Sequence, residues 1–273
     1  MTSPEIGRTV LAGGIATNVH VAGDGDPVLL LHGSGPGVTA WANWRLTIPR
    51  LAEQFAVVAP DMVGFGFTER PDDVSYGMNL WTGHALAVLD ALEIERAHVV
   101  GNSFGGALAL SLAIHHPDRV RGLVLMGSVG VPFDITPGLD AVWGYEPSVE
   151  AMQTLLELFA YDAGMVGPDL AELRYQASMR PGVHEAYRAM FPAPRQAAVD
   201  AMTHPIEDIA AITAPTLIVH GRDDRVIPLD NSLALVGLIA DAQLHVYGRC
   251  GHWTQIEHAA EFGDLVAGFL ARR

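Results

Sequence analysis

At 273 residues and 49% hydrophobic content, the chain is long enough to bury a large core as one domain with insertions. Its formal charge of −15 argues against a phosphate-backbone partner, since nucleic-acid affinity rests on clustered cations that are lacking here. All 16 basic residues are arginine, so Schiff-base catalysis and a Walker-type phosphate loop, both of which need lysine, are excluded.

Met1–Val10 carries Glu5 and no apolar run, and neither a signal nor a transit peptide is read there. The longest apolar stretch, about Phe104–Ile114, is too short to span a bilayer, so a soluble cytoplasmic protein is expected. Thr9–Leu11 and Thr17–Val21 flank Gly13-Gly14, a pattern that predicts a hairpin at a sheet edge. Buried strands are then predicted at Val28–Leu31, Ala56–Ala59, His98–Gly101, Gly122–Met126, Thr216–Val219 and Leu244–Tyr247, alternating with amphipathic runs. That alternation describes an α/β protein with a mostly parallel sheet of eight strands and helices on both faces. It fails between about Pro132 and Pro205, where helical patterns rich in Met, Phe and Tyr are punctuated by prolines. The expected organisation is a core over 1–131, a helical lid over 132–207 and the rest of the core over 208–273. The lid lies at the carboxyl edge of the sheet, over the usual ligand crevice.

The chemistry is concentrated in the loops after the strands. Gly101-Asn102-Ser103-Phe104-Gly105-Gly106 follows a strand and opens an Ala- and Leu-rich helix, the setting of a nucleophile elbow and hence of the α/β-hydrolase fold. Ser103 is the candidate nucleophile. A serine hydroxyl needs a histidine to take its proton, and His252, directly after the last strand, is the candidate base. The supporting acid should follow the preceding strand, where Asp223 and Asp224 stand side by side, and physics alone does not choose between them. His32-Gly33-Ser34-Gly35-Pro36-Gly37 follows the first buried strand, so the oxyanion donors are assigned to the Ser34 and Phe104 N–H groups. Cys250, the single cysteine, cannot form an intramolecular disulfide and is read as a packed thiol rather than the partner of His252. No His-Glu-x-x-His array or other ligand spacing is present, and neither metal nor cofactor is expected.

With these motifs the chain resembles the meta-cleavage-product hydrolases, serine-dependent C–C bond hydrolases of the α/β-hydrolase fold. The resemblance runs over nearly the whole length, through His32–Gly37, Asn43-Trp44-Arg45, Pro60–Gly66, Gly101–Gly106 and Gly248–Trp253. Ala141-Val142-Trp143-Gly144-Tyr145 is similar to the subgroup acting on phenol, toluene or cumene ring products. The resemblance implies cleavage of 2-hydroxy-6-oxo-hexa-2,4-dienoates to 2-hydroxypenta-2,4-dienoate and a carboxylic acid, and it implies a homodimer or higher homo-oligomer. It places the acid at Asp224 and the substrate carboxylate at Arg174, with Arg180 as rival. Gly33, Asn43, Asn102 and Trp253 would line the polar half of the pocket. Val129, Leu139, Val142, Trp143 and Val226 would sort the C6 substituent, with Trp143 shortening the pocket. A local arginine makes physical sense, because a strongly acidic protein repels an anionic substrate at long range. A carboxylesterase or lactonase of the same fold would share the triad without carboxylate recognition or ketonisation, and a non-catalytic ligand receptor on this fold would retain the triad with the lid as sensor.

Overall fold

The computed structural model describes residues 3–273; Met1 and Thr2, at the head of the segment read for targeting signals, lie outside the described residues. Eight strands form one sheet: β1 (Arg8–Ala12), β2 (Ile15–Ala22), β3 (Asp26–Leu31), β4 (Phe55–Pro60), β5 (Ala97–Asn102), β6 (Val120–Met126), β7 (Thr216–Gly221) and β8 (Ala242–Tyr247). Their order is β1-β2-β4-β3-β5-β6-β7-β8. β1 and β2 are antiparallel, as are β2 and β4; every later pair is parallel. The hairpin joining β1 and β2 turns at Gly13 and Gly14, whose φ values of 58° and 87° are those a tight two-residue turn demands. The chain leaves β3 for β4 on one side and leaves its neighbour β5 for β6 on the other, so the two connections diverge and a crevice opens at the carboxyl ends of β3 and β5.

The period of two in the strands distributes their side chains between two cores. Leu29, Leu31, Val58, Val99, Leu123, Leu125 and Ile218 face one side. Val28, Leu30, Val57, Val100, Val124, Leu217 and Val219 face the other. The second face is covered by α1 (Ala40–Trp44), α2 (Ile48–Leu51) and, from the far end of the chain, the last helix, Ala259–Leu270. The first is covered by α3 (Met78–Ala91) and α4 (Phe104–His115). The first ten residues of α4 are all buried, which explains its uniformly apolar sequence without any membrane. Among the described residues, no helix is long and apolar enough to cross a bilayer.

Between β6 and β7 the chain builds α5 (Pro137–Trp143), α6 (Val149–Phe159), α7 (Pro168–Ser178), α8 (Val183–Met190), α9 (Gln196–Ala201) and α10 (Ile206–Ala210). Two of the prolines there begin helices. Pro137 and Pro168 occupy first turns, where a missing N–H costs nothing. Thr136 and Ser148 cap α5 and α6, accepting from Leu139 N–H at 2.9 Å and Ala151 N–H at 3.0 Å. The Thr136 hydroxyl also donates to the Val226 carbonyl at 2.7 Å, tying the insertion to the loop after β7. After β7 come α11 (Leu229–Leu238), α12 (Thr254–Glu257) and the last helix, α13 (Ala259–Leu270).

Candidate active site

The chain turns from β5 into α4 at Ser103, which adopts φ 54° and ψ −114°, a region that non-glycine residues rarely occupy. The strain is held by backbone hydrogen bonds on both sides: Ser103 N–H donates to Met126 at 2.8 Å, and its carbonyl accepts from Gly106 at 2.9 Å. Glycines flank it because there is no room for more. A Cβ at Gly101 would lie 2.2 Å from the Gly105 carbonyl oxygen, and one at Gly105 would lie 2.2 Å from that of Leu31. Ser103 is thereby presented at the carboxyl edge of the sheet, and it lines the same cavity as His252.

The ambiguity between the two aspartates is resolved by geometry. Asp224 Oδ2 accepts from His252 Nδ1 at 2.7 Å, and its Oδ1 accepts from the Val226 and Ile227 N–H groups at 2.7 and 3.0 Å. Asp223 instead faces Arg222 and the Cys250 N–H, each at 3.4 Å. Burial alone would raise the Asp224 pKa; the charge and hydrogen bonds of His252 and His220 outweigh it and hold the carboxyl well below its ordinary range. With Nδ1 engaged by Asp224, His252 has Nε2 left to accept a proton.

His220 is a buried neighbour that sequence reasoning missed. Its Nε2–H donates to the Ile227 carbonyl at 3.1 Å and lies 3.4 Å from Asp224 Oδ2, while Ser232 Oγ meets Nδ1 at 2.7 Å. A histidine inside a strand reads as core filling, and only its contact with Asp224 sets it apart. Cys250 is fully buried, and burial followed by the nearby Glu257 raises its pKa strongly, so the thiol stays protonated.

Opposite the elbow, Gly33 and Ser34 form part of the cavity wall. A Cβ on Gly33 would lie 2.9 Å from Asn102 Oδ1, showing how closely the two loops approach. Asn43 Oδ1 accepts from Gly33 N–H at 3.2 Å. His32 Nδ1–H donates to the Gly33 carbonyl at 2.7 Å and its Nε2 accepts from Met62 N–H at 3.0 Å, so a neutral imidazole shapes this turn; burial lowers its pKa accordingly. Phe104 turns its ring away, edge-on to Trp81 with centroids 4.8 Å apart. Its backbone N–H stands in the first turn of α4, where a helix offers no internal acceptor.

The cavity has a volume of about 570 Å³. Of the residues expected around the substrate, Gly33, Ser34, Asn43, Asn102, Arg174, Trp253, Leu139, Val142 and Val226 line it. Val129 and Trp143 do not, and the expectation for both is corrected. Val129 is fully buried behind the elbow, its N–H 3.3 Å from the Ser103 carbonyl. Trp143 stacks on Phe191 with centroids 4.6 Å apart, and its indole N–H donates to Ser34 Oγ at 2.9 Å. A buried indole needs an acceptor, and Trp143 finds it in Ser34 Oγ, so its polar edge is spent on holding that loop. Arg180 also stays outside, over the Phe67 ring at 3.9 Å. The apolar roof includes residues the sequence did not single out, Met152, Leu156 and Phe159 of α6. Phe159 stacks on Trp253 at 5.0 Å, and its carbonyl accepts from His252 N–H at 2.7 Å.

This fold and this cluster of Ser, His and Asp agree with a family-level match: the family model described as alpha/beta hydrolase fold covers residues 26–259. The chain belongs to the α/β-hydrolase fold family. It is 62% identical over 269 residues to the 2-hydroxymuconate semialdehyde hydrolase of Pseudomonas sp. (strain CF600), covering 98% of this chain and 95% of that one. It is 61% identical to a 2-hydroxy-6-oxo-2,4-heptadienoate hydrolase of Pseudomonas putida, covering 98% and 97%. Among solved structures it superimposes on the S103A mutant of the meta-cleavage product hydrolase CumD of Pseudomonas fluorescens IP01, complexed with acetates, with a TM-score of 0.98, 54% identity and 99% of each chain covered. Within the fold, then, the chain is a member of the meta-cleavage-product hydrolases.

Proposed function

We propose that the protein hydrolyses the C5–C6 bond of 2-hydroxy-6-oxo-hexa-2,4-dienoates, either 2-hydroxymuconic semialdehyde or its 6-alkyl analogues, to 2-hydroxypenta-2,4-dienoate and a carboxylic acid. The observation that carries this reading is a single cavity with Ser103 and His252 in its floor, an arginine, Arg174, in its wall and an apolar roof. That arrangement suits a substrate with a carboxylate at one end and a ketone or aldehyde with a small apolar group at the other. The high identity to enzymes named for these substrates supports it.

In this reading His252 first moves a proton, taking it from the 2-hydroxyl and delivering it to C5, so that the dienol becomes the 2,6-dioxo tautomer. Ser103 Oγ then gives its proton to His252 and attacks C6, and the oxyanion is met by the Ser34 and Phe104 N–H groups. The C5–C6 bond breaks, its electron pair passes through C3=C4 into the 2-oxo group, and His252 returns a proton to give 2-hydroxypenta-2,4-dienoate. Water, deprotonated by His252, releases the acyl group from Ser103 as the acid. Asp224 keeps His252 in the tautomer and orientation this cycle needs. Arg174 holds the carboxylate, Gly33, Asn43, Asn102 and Trp253 complete the polar half, and Leu139, Val142 and Val226 meet the C6 substituent. We take 132–207 as the lid over this cavity, and the likeness leads us to expect a cytoplasmic homodimer, which light scattering after size exclusion would check.

The test is loss of the visible absorbance of the ring-fission products of catechol and 3-methylcatechol. Hydrolysis of p-nitrophenyl esters with no bleaching of any such dienoate would replace this reading with a carboxylesterase. Unchanged turnover by Ser103→Ala would remove Ser103 as nucleophile.

A further inference from the structure

Arg174 is paired with a carboxylate of the chain itself. Its Nη1 donates to Glu5 Oε1 at 2.7 Å, with the two side chains only 11% and 17% exposed, and its Nη2 donates to the Gly37 carbonyl. Glu5 is not a loose terminal residue. Its backbone carbonyl accepts from Asn18 Nδ2 at 3.0 Å and His20 Nε2 at 3.1 Å, and the Gly7 N–H donates to Asn18 Oδ1 at 2.8 Å, so the segment is pinned to β2 around it. Ser3, Pro4 and Glu5 thereby form part of the cavity wall beside Arg45 and Arg174.

The charges in that wall balance in number but are unevenly paired. Arg45 and Arg174 are its two cations and Glu5 and Glu257 its carboxylates. Glu257 is committed elsewhere, accepting from the Gly251 and Tyr161 N–H groups at 2.8 and 2.7 Å. Among the described residues, Arg45 makes one side-chain hydrogen bond, from Nη1 to the Ala42 carbonyl at 2.7 Å. It feels both neighbours: burial first, then Arg174, lower its pKa, while Glu5 raises it. Glu5 is thus the carboxylate of this wall that is paired with Arg174, and a substrate carboxylate arriving at the Arg45–Arg174 end would compete with it. The same end must also let go, because the dienoate product keeps the substrate's carboxylate, and an anchor that held both too tightly would slow release.

We propose that Glu5 is a specificity-determining residue of the carboxylate end: it is the resident counter-ion that keeps Arg174 in the wall of the cavity and weakens the hold on a carboxylate enough for product to leave. The inference rests on the reading of Arg174 as the carboxylate anchor. The experiment compares wild type, Glu5→Gln, Glu5→Asp and Arg174→Gln, measuring kcat and KM for 2-hydroxymuconic semialdehyde and competitive inhibition by sorbate, an uncleavable dienoate. Each rate is normalised to p-nitrophenyl acetate turnover, which needs no carboxylate contact and so reports any general disturbance of the lid or the Ser103 machinery. Glu5→Gln should lower the KM and the sorbate inhibition constant together, by roughly threefold to tenfold. Glu5→Asp, which keeps the charge, should stay within about twofold of wild type. If Arg174→Gln weakens both substrate and sorbate but Glu5→Gln weakens them too, or changes neither, the counter-ion role is overturned while the anchor stands. If Arg174→Gln changes neither constant, the anchor reading fails and the Glu5 proposal with it.

Discussion

The floor of the cavity is polar and tied down by hydrogen bonds, whereas its roof is apolar and held by packing. In the floor each polar residue has a fixed partner: Ser103 is strained between Met126 and Gly106, His252 is bonded to Asp224, and Ser34 Oγ accepts from Trp143. In the roof Leu139, Val142, Met152, Leu156 and Phe159 meet the cavity with carbon alone. Hydrogen bonds are directional and fail abruptly when a partner is removed, while dispersion contacts change by increments. Substitutions in the floor should therefore abolish turnover, and substitutions in the roof should redistribute it among substrates.

The largest effect should come from Ser103→Ala, which should cut kcat by about 10⁴-fold or more yet still bind the dienoate, as read by single-turnover absorbance and equilibrium titration. Next is the pair Asp224→Asn and Asp223→Asn. The first should reduce kcat by roughly 10³–10⁴-fold and the second by no more than about threefold, since only Asp224 meets His252; equal losses would remove the distinction between them. Asp224 also predicts a pH dependence of stability. Its carboxyl is depressed from 3.8 in the folded protein, so its contribution is fully present above that value and is lost as pH falls toward the folded pKa. The wild-type Tm should therefore fall more steeply than that of Asp224→Asn below about pH 4.

Trp143→Phe probes where roof and floor touch. Removing the indole N–H leaves the stacked ring in place but frees the Ser34 loop, and kcat should fall by about fivefold with KM for 6-methyl and unsubstituted dienoates shifted equally. A selective gain for bulkier C6 groups would return Trp143 to the pocket wall. The smallest change belongs to the roof itself. Val226→Ala or Val142→Ala should raise relative kcat/KM for the next larger C6 group by about tenfold, the worth of a methylene or two. A loss that was the same for every substrate would break the comparison from the other side.

Much of the floor was legible because its chemistry is local. A nucleophile elbow is a short-range demand on φ, ψ and Cβ volume, and Gly101, Ser103 and Gly105 state it within five residues. The central strands β3 to β7 were legible because burial on both faces writes continuous apolar runs, and β1 and β2 because Gly13-Gly14 marks the turn between them. The Asp223/Asp224 choice was not, because adjacent residues share every local signal and only the side-chain direction differs. Trp143 and Val129 were misplaced for a related reason: an apolar residue near the cavity in sequence can pack behind its wall. The Glu5–Arg174 pair spans 169 residues, and nothing local to either residue points to the other.

By itself, then, the amino-acid sequence determined the strand and helix pattern and the strained serine turn, since each depends on residues close together in the chain. Only the tertiary structure decided which aspartate meets His252, that His220 stands behind it, that Trp143 holds the Ser34 loop and that an N-terminal glutamate reaches the arginine of the helical insertion. Those contacts are set by how the insertion and the first strands pack against the sheet, a long-range outcome of burying two cores at once.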